Sequence, residues 1–185
     1  MSIKVKILVA ILLVFAAKTS LNAQRIALTT NIVEDIVLIP NIGVDIVMTD
    51  KQTLSLDTSF APYKISQNLY NKSLTFRAGY KYWLNQAFYA HYLGVDVVAT
   101  SYDLKYKNFT AKNEYVALGV GYGYSFILGK RLNLVPCIGL GLSYGNSYDG
   151  YDHMAKPGEG VMASKTSGVK PVITRLGITI QYVLN

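Results

Sequence analysis

Residues Ser73–Leu84 read SLTFRAGYKYWL. In an extended chain successive side chains point to opposite faces. Leu74, Phe76, Ala78, Tyr80, Tyr82 and Leu84 then share one face, and Thr75, Arg77, Gly79, Lys81 and Trp83 the other. The first face is bulky and apolar. The second carries two cations four residues apart with a glycine between them. A single strand with one greasy face and one charged face needs a fold that gives each face its own environment.

The same alternation runs outward in both directions. Upstream, Ile26, Leu28, Thr30, Ile32, Ile36 and Leu38 mark a first strand that breaks at Ile39-Pro40-Asn41. Ile42, Val44, Ile46 and Met48 mark a second, and Leu54, Leu56, Thr58 and Phe60 a third, with a turn at Thr49–Gln52. Downstream, Tyr89, His91, Leu93, Val95, Val97 and Ala99 alternate with Tyr92, Gly94, Asp96, Val98 and Thr100. Val116 to Leu128 and Leu132 to Tyr144 alternate bulky residues with Gly, Ser, Ala and Asn around a Gly129-Lys130-Arg131 turn. A last strand sets Val172, Leu176, Ile178, Ile180, Tyr182 and Leu184 against Arg175, Gly177, Thr179 and Gln181. Polar stretches near 61–72, 103–113 and 145–169 read as loops. The pattern predicts eight antiparallel strands in one domain, with short turns at one end and longer loops at the other, as in an up-and-down transmembrane barrel of outer-membrane type.

Side-chain size decides which face is outside. Eight strands enclose a lumen just wide enough for side chains to fill. The register of Gly, Ser, Thr and Ala fits that lumen, and the register of Leu, Ile, Val, Tyr and Phe fits hydrocarbon. The lumen then receives Asp45, Asp57, Arg77, Lys81, Asp96 and Arg175, three acids and three bases. Facing lipid, a single Arg would cost about 2–4 kcal/mol at the midplane. Paired inside, these charges make a structural network that plugs the lumen. Asp57 and Asp96 lie on the strands either side of Arg77, which predicts that they flank it. Tyr82, Tyr89, Phe126 and Tyr182 at one rim, and Tyr102, Tyr115 and Tyr144 at the other, read as interfacial girdles. The alternative orientation, bulky side chains inward, describes a soluble secreted lipocalin-like barrel that binds a small ligand.

The amino terminus fits an exported protein. Lys4 and Lys6 precede an apolar run from Ile7 to Ala17, and a small-residue site ends at Asn22-Ala23. The run is too short to span a bilayer and predicts a cleaved signal peptide over residues 1–23, leaving a barrel domain over 24–185. Without Lys4, Lys6 and Lys18, the 18 basic residues fall to 15 against 11 acidic ones, a net charge of +4. The remaining cations are scattered, so no nucleic-acid partner is expected. Cys137 is the only cysteine, so stability cannot come from an internal disulfide.

Chemistry-bearing residues are sparse. The two histidines are His91, in the apolar register, and His153, beside Asp149 and Asp152 in the longest loop. Ser147 with His153 and an Asp would supply the residue types of a triad, but no G-x-S-x-G or S-x-x-K pattern accompanies them. Asn146, Asp149 and Asp152 have no Ca²⁺-loop spacing. GVGYG at Gly119–Gly123 belongs to a strand and opens no helix, so it is no nucleotide loop. No catalytic residue, cofactor or metal is expected. A lipid-modifying outer-membrane enzyme stands as a further alternative.

IALTTNIVEDIVLIPNIGVDIVM, AGYKYWL, FYAHYLGVDV and GVGYGYSFILGKRLNL followed by IGLGLSYG stand in an order that resembles the domain-of-unknown-function family 3575, secreted proteins common in Bacteroidota. The resemblance implies an outer-membrane barrel, sometimes associated with fimbrial or surface-assembly genes, without an established activity and without defined functional residues. The chain ends Tyr182-Val183-Leu184-Asn185 rather than in an aromatic residue. The expected role is structural, adhesive or in surface assembly through exposed loops. The expected partners are outer-membrane lipid and, as a candidate, a protein at those loops.

Overall fold

The structure, a computed structural model, describes residues 25–66, 69–106, 109–151 and 164–184, with side chains described outside 64–71, 104–111 and 147–166. The expected signal peptide at 1–23 lies outside the described residues. Eight antiparallel strands close in sequence order into a barrel. They are β1 (Ile26–Asn31), β2 (Asn41–Thr49), β3 (Gln52–Ser66), β4 (Leu69–Trp83), β5 (Ala90–Tyr106), β6 (Phe109–Ile127), β7 (Leu132–Tyr151) and β8 (Ser164–Val183). β1 closes the wall by pairing with β8, from Ala27 opposite Val183 to Asn31 opposite Thr179. We call the end at which β1 begins and β8 finishes the lower end.

The bulky register points outward. Leu118, Val120, Leu140 and Leu142 are 58–67% exposed, whereas Asp45 and Ser55 in the opposite register are fully buried. Glycine inside makes room for longer neighbours. A Cβ at Gly43 would strike Asp57 and Thr29, one at Gly79 would strike Asp96 and Ser55, and one at Gly123 would strike the Tyr92 ring.

Four expectations need correction. The first strand does not run to Leu38: it stops at Asn31 and the chain turns into a short helix, α1 (Ile32–Ile36). Asn31 is the N-cap, its side chain accepting from the Val33 N–H, and Glu34 and Asp35 occupy the first turn where the helix dipole favours acids. The stretches expected as loops at 61–72 and 103–113 are largely strand, because β3–β4 and β5–β6 pair on to Ser66–Leu69 and Tyr106–Phe109. β7 and β8 likewise pair up to Asp149 and Ser164. In these hairpins main-chain bonding continues after apolar alternation stops.

In β8 a bulge changes the register between Gly139 and Leu140, so Thr174 and Arg175 both point inward. Above the bulge Ile173 is the outward residue and Val172 takes the lumen side, the reverse of the expected placement. Finally, Tyr102 and Tyr115 are half-buried on the lumen side and not in an outer girdle. Tyr115 is one residue from the outward Val116 and Tyr102 one residue from the outward Ser101, which puts both on the opposite face.

Candidate functional site: the ionic lumen

The lumen is filled in layers. At the lower end the segment between β4 and β5 folds inward, placing Ala87 and Phe88 in the barrel. Phe88 and Ala90 take positive φ of 69° and 59° to make this tight return. The Phe88 carbonyl accepts from the Ser125 hydroxyl at 2.8 Å and from Asn133 Nδ2 at 3.1 Å. Trp83, fully buried, meets Phe88 edge-on with centroids 6.0 Å apart and lies 4.9 Å from the Tyr92 ring. Its indole N–H donates to Thr53 Oγ1 at 3.0 Å. An aromatic floor therefore closes this end, a feature that alternation alone did not disclose.

Above the floor Lys81 Nζ donates to both carboxylate oxygens of Asp45 at 2.9 Å, and Gln181 Nε2 donates to the same carboxylate at 2.7 Å. Gln181 also accepts from Asn133 Nδ2 at 3.1 Å, which ties this layer to the floor. Lys81 lies 5.5 Å from the centroid of Tyr92, a favourable cation–π position.

The next layer centres on Arg175. One terminal nitrogen, Nη2, donates to Asp57 at 2.9 Å and to Asp96 at 3.1 Å. Nε reaches Asp96 at 3.4 Å. Arg77, expected between these two acids, holds neither. Its Nε donates to the Thr174 carbonyl at 3.0 Å, in the bulge of β8, and its Nη2 lies 3.8 Å from Glu34 of α1. The reason is the lumen itself: Arg175 enters from the opposite wall at the level of both carboxylates, and the bulge presents a carbonyl to Arg77.

α1 is held by a polar clasp. Asn31 Nδ2 donates to Glu34 at 3.1 Å and to the Leu176 carbonyl of β8 at 3.2 Å. Asn41 Oδ1 accepts from the Asn31 N–H at 2.6 Å, and Asn41 Nδ2 donates to Asn31 O and Asp35. Asn31, Glu34 and Asn41 escaped the sequence reading. The spacing Asn31-x-x-Glu34, an N-cap with an acid at N3, was the signal available.

Of the remaining candidates, His91 lies outside the barrel with Nδ1 against the Tyr122 hydroxyl and its ring edge-on to Tyr124. His153 and Asp152 lie outside the described residues, and the side chains of Ser147 and Asp149 do too. Among the described residues no group of three His, Cys, Asp or Glu is placed to hold a metal ion. Among the described residues the lumen charges are paired, and no nucleophile stands beside a base.

No curated protein and no solved structure matches the chain. Residues 9–184 match the family described as protein of unknown function, DUF3575, and the chain belongs to that family.

Proposed function

We infer that the chain is an exported outer-membrane β-barrel whose lumen does not conduct and whose upper hairpins serve a structural, adhesive or surface-assembly role. The observation that carries this reading is the outer face. Leucine, isoleucine, valine, phenylalanine and tyrosine project from every strand, many of them more than half exposed. A soluble monomer keeps its largest apolar patch to about 300–600 Å². Each such side chain gains about 1.5–3 kcal/mol on leaving water, so a belt of them favours hydrocarbon. Tyr82, Tyr89, Phe126 and Tyr182 form the lower edge of the belt, where amphipathic rings suit the lipid head groups. The ion-paired core and aromatic floor support a closed lumen. No residue is assigned a catalytic role.

Sodium carbonate washing of membranes from producing cells tests the membrane reading. The protein stays with the pellet and, unheated, migrates faster on a gel than after boiling. Recovery in the soluble fraction overturns the reading. N-terminal sequencing of that material gives Gln24 as the first residue if the signal peptide is cleaved as expected. Affinity capture from intact cells through the upper hairpins then tests for a surface partner.

A further inference from the structure

The barrel wall has a step in it. β1 and β2 have 6 and 9 residues, whereas their outer neighbours β8 and β3 have 20 and 15. β2 follows β3 only as far as Asn41 opposite Ser59, and β1 follows β8 only to Asn31 opposite Thr179. Above those positions no described strand pairs with the facing edges of β3 and β8. The gap is two strands wide, about 14 Å from edge to edge at ~4.8 Å per strand spacing. α1 lies along its sill.

Both rims are blunted against a further strand. The Phe60 N–H donates to the Pro40 carbonyl at 3.0 Å, so even-numbered residues of β3 turn their main chain toward the gap. The next such residue is Pro62, which has no N–H to offer. In β8, Pro171 stands opposite Leu142 between the pairs Val172–Gly141 and Lys170–Ser143. The Val183 N–H donates to the Arg131 carbonyl, which sets the odd residues of β7 as those bonding β8. The nitrogen of Pro171 therefore faces away from β7, toward the gap. Proline at these positions is a device of edges that must not pair. Each rim of the opening thus carries a proline that cannot donate a main-chain bond to a further strand.

Its chemistry changes from outside to inside. The sill presents Ile36, Val37 and Leu38, 74%, 58% and 64% exposed, and Phe60 and Ile173 flank it. Behind the sill stand Arg77 and Glu34, a loose pair at 3.8 Å whose side chains keep 12% and 19% of their surface open. Deeper, the cavity bounded by Glu34, Arg77, Asp57 and Arg175 measures only about 10 Å³, about one water. A larger group stops at the level of Arg77 and Glu34, where it meets one cation and one anion side by side.

Resting on the membrane reading above, we propose that this gap is a lateral portal. A zwitterionic phospholipid sets its phosphate against Arg77 and its ammonium toward Glu34, while its acyl chains remain outside on α1. Arginine suits the phosphate because its planar fork binds two oxygens at once.

The test uses the full chain folded into phosphatidylcholine vesicles containing tritiated phosphatidylethanolamine. The photoreactive residue p-benzoylphenylalanine replaces either Tyr115, on the lumen face of β6 opposite the gap, or Val116, on its outer face. Illumination labels both positions. Gly168→Trp, placed where a Cβ meets no atom within 4 Å, fills the space behind the gap; it lowers labelling at 115 several-fold and leaves 116 unchanged. Labelling at 116 without labelling at 115, or labelling at 115 indifferent to Gly168→Trp, overturns the portal. Equal labelling at 115 by tritiated phosphatidylglycerol overturns the head-group assignment. Absence of label at 116 overturns the membrane reading itself.

Discussion

Asp57 and Arg77 stand directly opposite each other on neighbouring strands, yet Asp57 gives its carboxylate to Arg175 at 2.9 Å from across the lumen. A cross-strand neighbour is the partner expected in an open sheet. In a closed narrow barrel the opposite wall is as near as the adjacent strand, and the more completely buried cation takes the acids.

Arg175→Met therefore destabilises the barrel more than Arg77→Met. The first strands Asp57 and Asp96 together, and uncovering a buried charge costs about 3–5 kcal/mol. The second releases one backbone carbonyl and a long ion pair, about 1–2 kcal/mol. Urea midpoints of the two variants in the same detergent check the order; equal midpoints would contradict it.

Asp45→Leu leaves Lys81 without its carboxylate and Gln181 without its acceptor, at a cost of about 3–5 kcal/mol. Adding Lys81→Met recovers a substantial part, because the isolated charge is gone. A double-mutant cycle on unfolding midpoints reads the coupling. Additive losses would show that the two side chains do not act as a pair.

The floor responds to volume. Trp83→Ala removes the ring packed against Phe88 and Tyr92 and costs about 3–5 kcal/mol. Thr53→Val removes only the acceptor of the indole N–H and costs about 1 kcal/mol. Urea midpoints read both losses, and a Trp83→Ala loss no larger than that of Thr53→Val would contradict the volume argument. Trp83 is the sole tryptophan, so emission reports on Thr53→Val alone: it stays that of a buried indole, and a shift to the solvent-exposed wavelength would mean the floor had opened.

Leu118→Arg places a charge on the outer face of β6. In a bilayer it costs about 2–4 kcal/mol near the midplane. On a water-facing surface the same change falls within about 0.5 kcal/mol. Refolding yield into vesicles, compared with Gly168→Arg at the lumen side, distinguishes the environments.

The amino-acid order by itself determined the number of strands, the two faces of each, and which face looks outward. These follow from period-2 alternation and from side-chain volume, both local properties. It also placed Asp45, Asp57, Arg77, Lys81, Asp96 and Arg175 on the inner face. It did not decide who binds whom. That depends on the stagger with which the sheet closes, which brings Arg175 on β8 to Asp57 and Asp96 on β3 and β5 and leaves Arg77 to a bulge carbonyl. The bulge at Thr174 also reversed the faces of β8 above it, because one extra residue shifts a period of two. Tertiary structure likewise settled the early end of β1: NIVEDI carries strand-forming residues, but Asn31 finds the Leu176 carbonyl of β8 and caps a helix instead. Side-chain alternation reports the environment of a strand; contacts across a lumen depend on curvature and register, which only the closed barrel supplies.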